Sequence, residues 1–284
     1  MIRYLPALLL VACTNAAPSP TGEQDGAPPS IAQDASPPAF WLHYSEPIGP
    51  GQESQVCALV AGPNAETWVS GWTASLKSVH HAGVSTIPKG SDFASKGCGV
   101  SVGRHLLFTV LTAQLDERIP VEGGALRIPA DIDFLLDIHR LNTSLEVATA
   151  TADIGFTIAE THAVEVFSGY ADGQAIAVAP HTEQSVKFSC TVPQEVSFVS
   201  LLDHTHSRTK SVTASSNGKE IYRNTNWAEP RTIYYPPFSP GVFEWSCDIV
   251  NDTNSPLTYG ISRDTGEMCQ MYMLTLGNSW KCSK

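Results

Sequence analysis

From Ala39 onward the chain is built of short runs in which apolar and polar positions alternate. "ESQVCALV", "HLLFTVLTAQL", "FLLDIHRL", "SVKFSCTV", "EVSFVSLLD", "RTIYYPPF", "GVFEWSCDIV" and "EMCQMYMLTL" are such runs, separated by turn clusters such as "GPNAE", "SSNGKE" and "VNDTNSP". A period of two sends successive side chains to opposite faces, as a half-buried strand requires. No helical period is sustained and no repeat of fixed short period is found. The pattern predicts an all-β chain, and regularly spaced short strands predict β-sandwiches. Roughly 245 residues of this kind predict two tandem antiparallel, jelly-roll-like sandwiches. Their expected bounds are 39–165 and 166–284, with the boundary near "HAVEVFSGYADGQ".

The N-terminus reads differently. "MIRYLPALLLVAC" places one arginine before an apolar run too short to span a membrane as a helix. Its end, Leu10-Val11-Ala12-Cys13, resembles the bacterial lipoprotein box. That resemblance implies a signal peptide over 1–13 and lipidation of Cys13 as the first mature residue. The chain would then be exported and anchored to a bacterial membrane by lipid alone, on the periplasmic or surface side of the outer membrane. An ordinary signal with an incidental cysteine is the competing reading. Residues 14–38 are rich in Pro, Ala, Ser and Gly and offer nothing to build a core, so they are expected to be a disordered tether.

Composition narrows the function classes. The formal net charge is −11 and charged residues make up 16% of the chain, with no basic stripe. Phosphate binding wants clustered Lys and Arg, so a nucleic-acid partner is not expected. Beyond Cys13 six cysteines remain: Cys57, Cys98, Cys190, Cys247, Cys269 and Cys282. An even number in an exported chain implies disulfides, and no CxxC spacing suggests a zinc knuckle or a redox motif. Two of them fall in the first half and four in the second.

Histidine and methionine carry the chemistry. In "SLLDHTHSRTK", His204 and His206 sit two apart and project from one strand face, a natural bidentate metal grip. Taken alone, such a pair is as readily two exposed histidines on a polar face. "SVHHAGV" holds His80 and His81, which can converge only where the strand is irregular; Ala82-Gly83 permits a bend there. His139 lies in an apolar strand and needs a partner, a carbonyl or a metal. Apart from Met1, the methionines are confined to "EMCQMYM", as Met268, Met271 and Met273. A thioether is a soft ligand that favours Cu(I), although core filling is the simpler role and suits Met271 and Met273. Alternation gives Met268, Gln270 and Tyr272 one face and Cys269, Met271 and Met273 the other.

The ordered set HH, LxxHxxN, HTH and EMC resembles the copper type II, ascorbate-dependent monooxygenases, which include peptidylglycine α-hydroxylating monooxygenase and dopamine β-monooxygenase. The likeness runs from about residue 40 to the end and is strongest around "LLDHTHSRTK" and "SRDTGEMCQMY". It implies two copper ions per chain, facing one another across a solvent-filled interdomain cleft. His80, His81 and His139 would hold the electron-transfer copper. His204, His206 and Met268 would hold the copper that takes O2 beside the substrate, with Tyr272 an active-site tyrosine. The implied reaction is hydroxylation of an unactivated C–H bond, with ascorbate or another one-electron reductant as cosubstrate. The implied disulfides are Cys57–Cys98, Cys190–Cys282 and Cys247–Cys269. A monomer acting on a small molecule is expected.

The chain also departs from the pattern. The peptide enzyme has an arginine for the substrate carboxylate where this chain has Leu202, and an asparagine where it has Gln270. Asp137 stands where that enzyme has glutamine. Glycine-extended peptides are therefore expected to be poor substrates and a neutral, cationic or apolar small molecule a better one, with Arg208 or Lys210 as possible replacement anchors. The alternative to catalysis is a non-catalytic exported copper-binding lipoprotein on the same fold.

Overall fold

The alternating runs become strands almost without exception. The computed structural model describes residues 39–91, 104–260 and 265–284, and among them are 21 strands and no helix. Cys13, the 14–38 tether and Cys98 lie outside the described residues. Where one face is wet the period of two is plain. In Thr182–Thr191 only Val186, Phe188 and Cys190 are buried, and in Val242–Asn251 the buried set is Phe243, Trp245, Cys247, Ile249 and Asn251. Ile132–Leu141 is covered on both faces, so it carries the continuous apolar stretch that such strands need.

Two four-stranded antiparallel sheets have the same order. In the first, Glu53–Ala61, Ile132–Leu141, Val79–Pro88 and His105–Val110 follow one another across the sheet. In the second, Thr182–Thr191, Val242–Asn251, Thr209–Ser216 and Lys219–Asn224 do so. A ten-stranded sheet spans both halves, including Thr67–Lys77 and Ala148–Ile158 from the first and Cys269–Leu276 and Ser197–Thr205 from the second. Its joining strand is Val164–Asp172, which runs parallel to Gly124–Ile128 and antiparallel to Cys269–Leu276. Residue 165, the expected boundary, thus lies within a strand, and Pro37–Lys284 forms one unit.

Within that unit the apolar residues gather in two clusters. One is centred on Trp72, Phe108, Phe134 and Phe156, and the other on Phe198, Tyr222, Phe243 and Trp245. Val199 and Leu274 come from the second half but pack in the first cluster, tying the two together. Cys269, Met271 and Met273 all face the second cluster, the side that alternation gave them. Bridges join Cys190 to Cys282 and Cys247 to Cys269. The second fastens Cys269–Leu276 to Val242–Asn251, immediately after Met268. Cys57 is disulfide-bonded as well.

One loop occurs twice. The Asn142 amide donates to the carbonyls of Ile48, Gly49 and Glu146, and its Oδ1 accepts from the N–H and hydroxyl of Ser144. The Asn251 amide donates to the carbonyls of Val178 and Ser255, and its Oδ1 accepts from the N–H and hydroxyl of Thr253. Each asparagine closes the loop after the second strand of its four-stranded sheet, where buried backbone groups would otherwise lack partners.

Candidate metal centre

His80 and His81 are brought together by a β-bulge. Val79 pairs with Arg140 and His81 with His139, so His80 is the extra residue that the ladder skips. The irregularity falls on His80 itself; Gly83 stays in regular register opposite Asp137. His139 is directly across the ladder from His81, and nitrogens of His80, His81 and His139 all lie within 4.8 Å of one another. His139 Nε2 is 2.8 Å from Glu53 Oε1, which leaves Nδ1 facing inward. A carboxylate behind an imidazole fixes its tautomer and orientation, the usual arrangement behind a metal-binding histidine.

His204 and His206 come from the end of Ser197–Thr205, their rings 5.4 Å apart between centroids. Asp203, the residue before them, turns the other way, where the Tyr222 hydroxyl and the Asn224 amide donate to it. Met268 is buried beside them through its backbone. Glu267 Oε1 accepts the N–H of His206 and, at 2.9 Å, the N–H of Met268, while Oε2 accepts that of Arg208 at 3.2 Å. Glu267 is fully buried, and burial pushes its carboxyl up. It was not singled out from the sequence, because a glutamate in a Gly-Glu-Met turn reads as an exposed charge. Its carboxylate bridges the HTH and EMC segments, which also pair along their strands.

The two sets of histidines are not separate. His81 lies 4.6 Å from His204 between ring centroids, His80 6.0 Å from His206, and His139 6.1 Å from His206. At 4.6 Å the facing rings are in contact, with no solvent layer between them. Five of the nine histidines thus form one cluster, in which four are buried and His80 is half-buried. The other four are engaged elsewhere: His43 with Asp153, His105 beside Ser168, His162 stacked on Trp68 and His181 with Asn254.

Burial keeps four of these imidazoles neutral. Burial, and secondly the neighbouring imidazoles, hold His80 down at about 4 and His206 at about 3, and hold His81 and His204 well below the usual histidine range. Neutral imidazoles have a free lone pair, the form that binds metal. Three ring nitrogens are buried with no hydrogen-bond partner: His81 Nδ1, His139 Nδ1 and His206 Nε2. Such orphans cost free energy unless something is coordinated there. The donors gathered here are imidazole nitrogens, a set that copper accepts.

Tyr272 stands on the same face as Met268 and Gln270, its ring 6.2 Å from that of His204. Its hydroxyl donates to Gln270 Oε1 at 2.7 Å, and the Gln270 amide donates to Asp172 and to the Tyr259 hydroxyl. Gln270 therefore belongs to a network that holds Tyr272. Next to it, where the two apolar clusters meet, is a cavity of about 90 Å³ lined by Trp72, Phe108, Leu202, Tyr272 and Leu274. Its one acid is Glu117, which accepts a hydrogen bond from Thr232 at 2.7 Å and is pushed up to about 7 by burial. The two cations considered as replacement anchors are occupied outside this cavity, Arg208 with Asp252 and Lys210 with Glu183. Asp137, by contrast, is inward, bonded by Gln55 and Arg104.

No family model and no curated protein matches this chain. Among solved structures, a recombinant peptide:N-glycanase F is similar over 84% of this chain and 96% of its own, at 9% identity and a TM-score of 0.41. The STIV MCP is similar over 83% of this chain and 97% of its own, at 9% identity and a TM-score of 0.34. Likenesses this distant assign no chemistry to the five histidines.

Proposed function

We propose that this chain is an exported copper-dependent monooxygenase that hydroxylates a C–H bond of a small molecule, using O2 and an external one-electron reductant such as ascorbate. The observation that carries the reading is the convergence of five imidazoles, four of them buried, with three unpartnered ring nitrogens. His80, His81 and His139 would hold one copper, and His204, His206 and Met268 the other. Copper, when bound, supplies O2 binding and one-electron chemistry. The chain's own residues do the rest. Glu53 orients His139, Glu267 ties His206 to Met268, and burial keeps the rings of His80, His81, His204 and His206 unprotonated at neutral pH. Tyr272 stands between the cluster and the cavity, where it is placed to orient a substrate.

The apolar cavity supports an apolar or cationic substrate over an anionic one. Leu202 lines it in place of an arginine, and the one charge it offers is an acid. The repeated sheet order supports reading the unit as two jelly-roll-like lobes that meet at the histidines. Disulfides support an oxidising, exported location, with Cys13 as the lipid anchor and the chain acting as a monomer.

Metal analysis of the purified full chain should give two coppers. Loaded protein should consume O2 only with reductant present, and a metabolite screen with labelled O2 should yield a hydroxylated product. Stoichiometric copper without any reductant-dependent turnover would favour a copper-binding lipoprotein, and absence of stoichiometric copper would overturn both.

A further inference from the structure

We propose that Trp72 and Glu117 form a headgroup site in the apolar cavity, and that this site takes a hydroxyl carried on a small apolar body. The inference rests on the monooxygenase reading for calling that ligand a substrate, and it narrows the substrate class.

The ladder places the two residues side by side. Trp72 and Glu117 stand directly opposite one another where Thr67–Lys77 pairs with Gln114–Arg118, so their side chains leave the same face, and both line the cavity. Trp72 is 5% exposed, and its ring is stacked on Phe108 at 4.2 Å between centroids. Its Nε1 is buried with no hydrogen-bond partner. Glu117 accepts from the Thr232 hydroxyl and from no other side chain among the described residues. Other hydroxyls of the lining are already engaged. Ser168 donates to the Leu106 carbonyl, Thr112 to that of Gln114 and Tyr272 to Gln270, while Ser200 accepts the N–H of Leu274. The cavity thus leaves an indole N–H in want of an acceptor beside a carboxyl in want of a donor.

A hydroxyl supplies both, because one oxygen accepts and donates. An ammonium only donates and would leave the indole N–H unpaired, and a carboxylate only accepts and would meet the charge of Glu117. Burial holds the Glu117 carboxyl up at about 7, with a lesser push from Asp116, so its acid and its carboxylate are both present near neutrality. A hydroxyl pairs with either form by reversing its role, whereas an ammonium pairs only with the carboxylate. At about 90 Å³ the cavity limits what carries the hydroxyl to a short apolar chain or the edge of one ring.

The test titrates the purified full chain with butan-1-ol, which accepts and donates, its isomer diethyl ether, which only accepts, and butylammonium, which only donates. Affinity is read from the indole N–H resonance of Trp72, assigned by its loss in Trp72→Phe, and by calorimetry for that variant. Butan-1-ol should bind one per chain and move the resonance downfield, and the other two should bind about threefold to tenfold more weakly. Trp72→Phe, which keeps a ring against Phe108, and Glu117→Leu should each weaken butan-1-ol by a similar factor, while Glu117→Gln retains an acceptor and should keep most of the affinity. The three probes on wild type carry the comparison if a variant does not fold. Tightest binding of butylammonium would overturn the hydroxyl in favour of a cation. Ether bound as tightly as the alcohol, an unmoved indole resonance or no saturable binding would overturn the headgroup site. Binding is measured without turnover, so the two readings fail separately. Alcohol binding in a chain that takes up no copper would sink the monooxygenase reading and leave the site standing, and copper-dependent turnover with no preference for the alcohol would do the reverse.

Discussion

The two four-stranded sheets match strand for strand, and they even share a bulge. In the first, the ladder passes from Val79–Arg140 to His81–His139; in the second, from Thr209–Ile249 to Ser211–Asp248. The closing asparagine follows three residues later in both, Asn142 and Asn251. Position for position, His80 corresponds to Lys210, His81 to Ser211 and His139 to Asp248. In the second half those positions form ordinary polar contacts. Ser211 donates to Asp248 at 2.6 Å, and Lys210 reaches Glu183 at 3.0 Å. The backbone that gathers three histidines in one half gathers a serine, an aspartate and a lysine in the other. The histidine cluster is therefore a property of side chains grafted on a repeated scaffold, and the second half carries its histidines elsewhere, at the end of Ser197–Thr205.

The strongest way to break this comparison is to exchange chemistry at matched positions. His139→Ala should remove one of two coppers, with occupancy at the first set falling by well over tenfold. Asp248→Ala, its counterpart, should leave both coppers in place and cost about 1 kcal/mol, the worth of one lost hydrogen bond. Metal analysis with thermal unfolding reads both. Copper loss from Asp248→Ala would mean that the second sheet is part of the centre after all. Met268→Ile should instead weaken Cu(I) at the second set and abolish turnover, with the first set still loaded.

Glu267 sharpens the contrast from the other side, because among the described residues of the first half no carboxylate accepts the backbone N–H of a cluster histidine. Glu267→Ala leaves the N–H groups of His206, Arg208 and Met268 without their acceptor in a buried site. A loss of about 3–5 kcal/mol is expected in denaturant unfolding. Glu267→Gln, which keeps one acceptor oxygen, should recover part of that stability. Its Cu(I) affinity should fall at the second set only. Equal weakening of both sets would reduce Glu267 to a general core residue.

The paired asparagines come next in size. Each is buried and makes several bonds to main-chain groups, so Asn142→Ala and Asn251→Ala should each cost about 2–3 kcal/mol. Asn142→Ala should also loosen copper at the first set, since Asn142 closes the strand that carries His139. Asn251→Ala should not. Identical effects on metal would remove the functional distinction between the halves.

Much of this was legible in the chain, and the reason for the remainder is physical. The strands followed from alternation, and the five histidines with Met268 stood out by type and spacing. The fusion of the two histidine sets was not legible, because it depends on Val164–Asp172 joining the sheets of both halves, a pairing that no local pattern encodes. The bulge at His80 was expected at Ala82-Gly83, where glycine is permissive, yet the ladder slips one step earlier. The scaffold repeat was invisible because it lies in main-chain bonds. "NTSLE" and "NDTNS" share only an asparagine and a hydroxyl two residues later, which is all that the loop requires.

The smallest effect tests the seam between the halves. Glu117 belongs to the first half and its partner Thr232 to the second, so its ionisation reports on how tightly they close. Burial raises its carboxyl to about 7, with a lesser push from Asp116. A carboxyl that binds its proton more tightly when folded stabilises the fold below its unfolded value, and that contribution is lost as pH rises through about 7. The cavity is partly open, so the contribution is expected to be about 1–2 kcal/mol, well short of a fully buried acid. Wild-type stability should therefore decline between about pH 5 and pH 8 relative to Glu117→Gln, whose neutral amide does not titrate. Unfolding curves for the two proteins across that range measure the difference directly. Parallel pH profiles would show that water reaches Glu117 freely and that the seam is open. If the profiles diverge as expected, a cationic substrate seated in the cavity should shift the divergence to lower pH by stabilising the carboxylate, and a neutral apolar one should leave it in place.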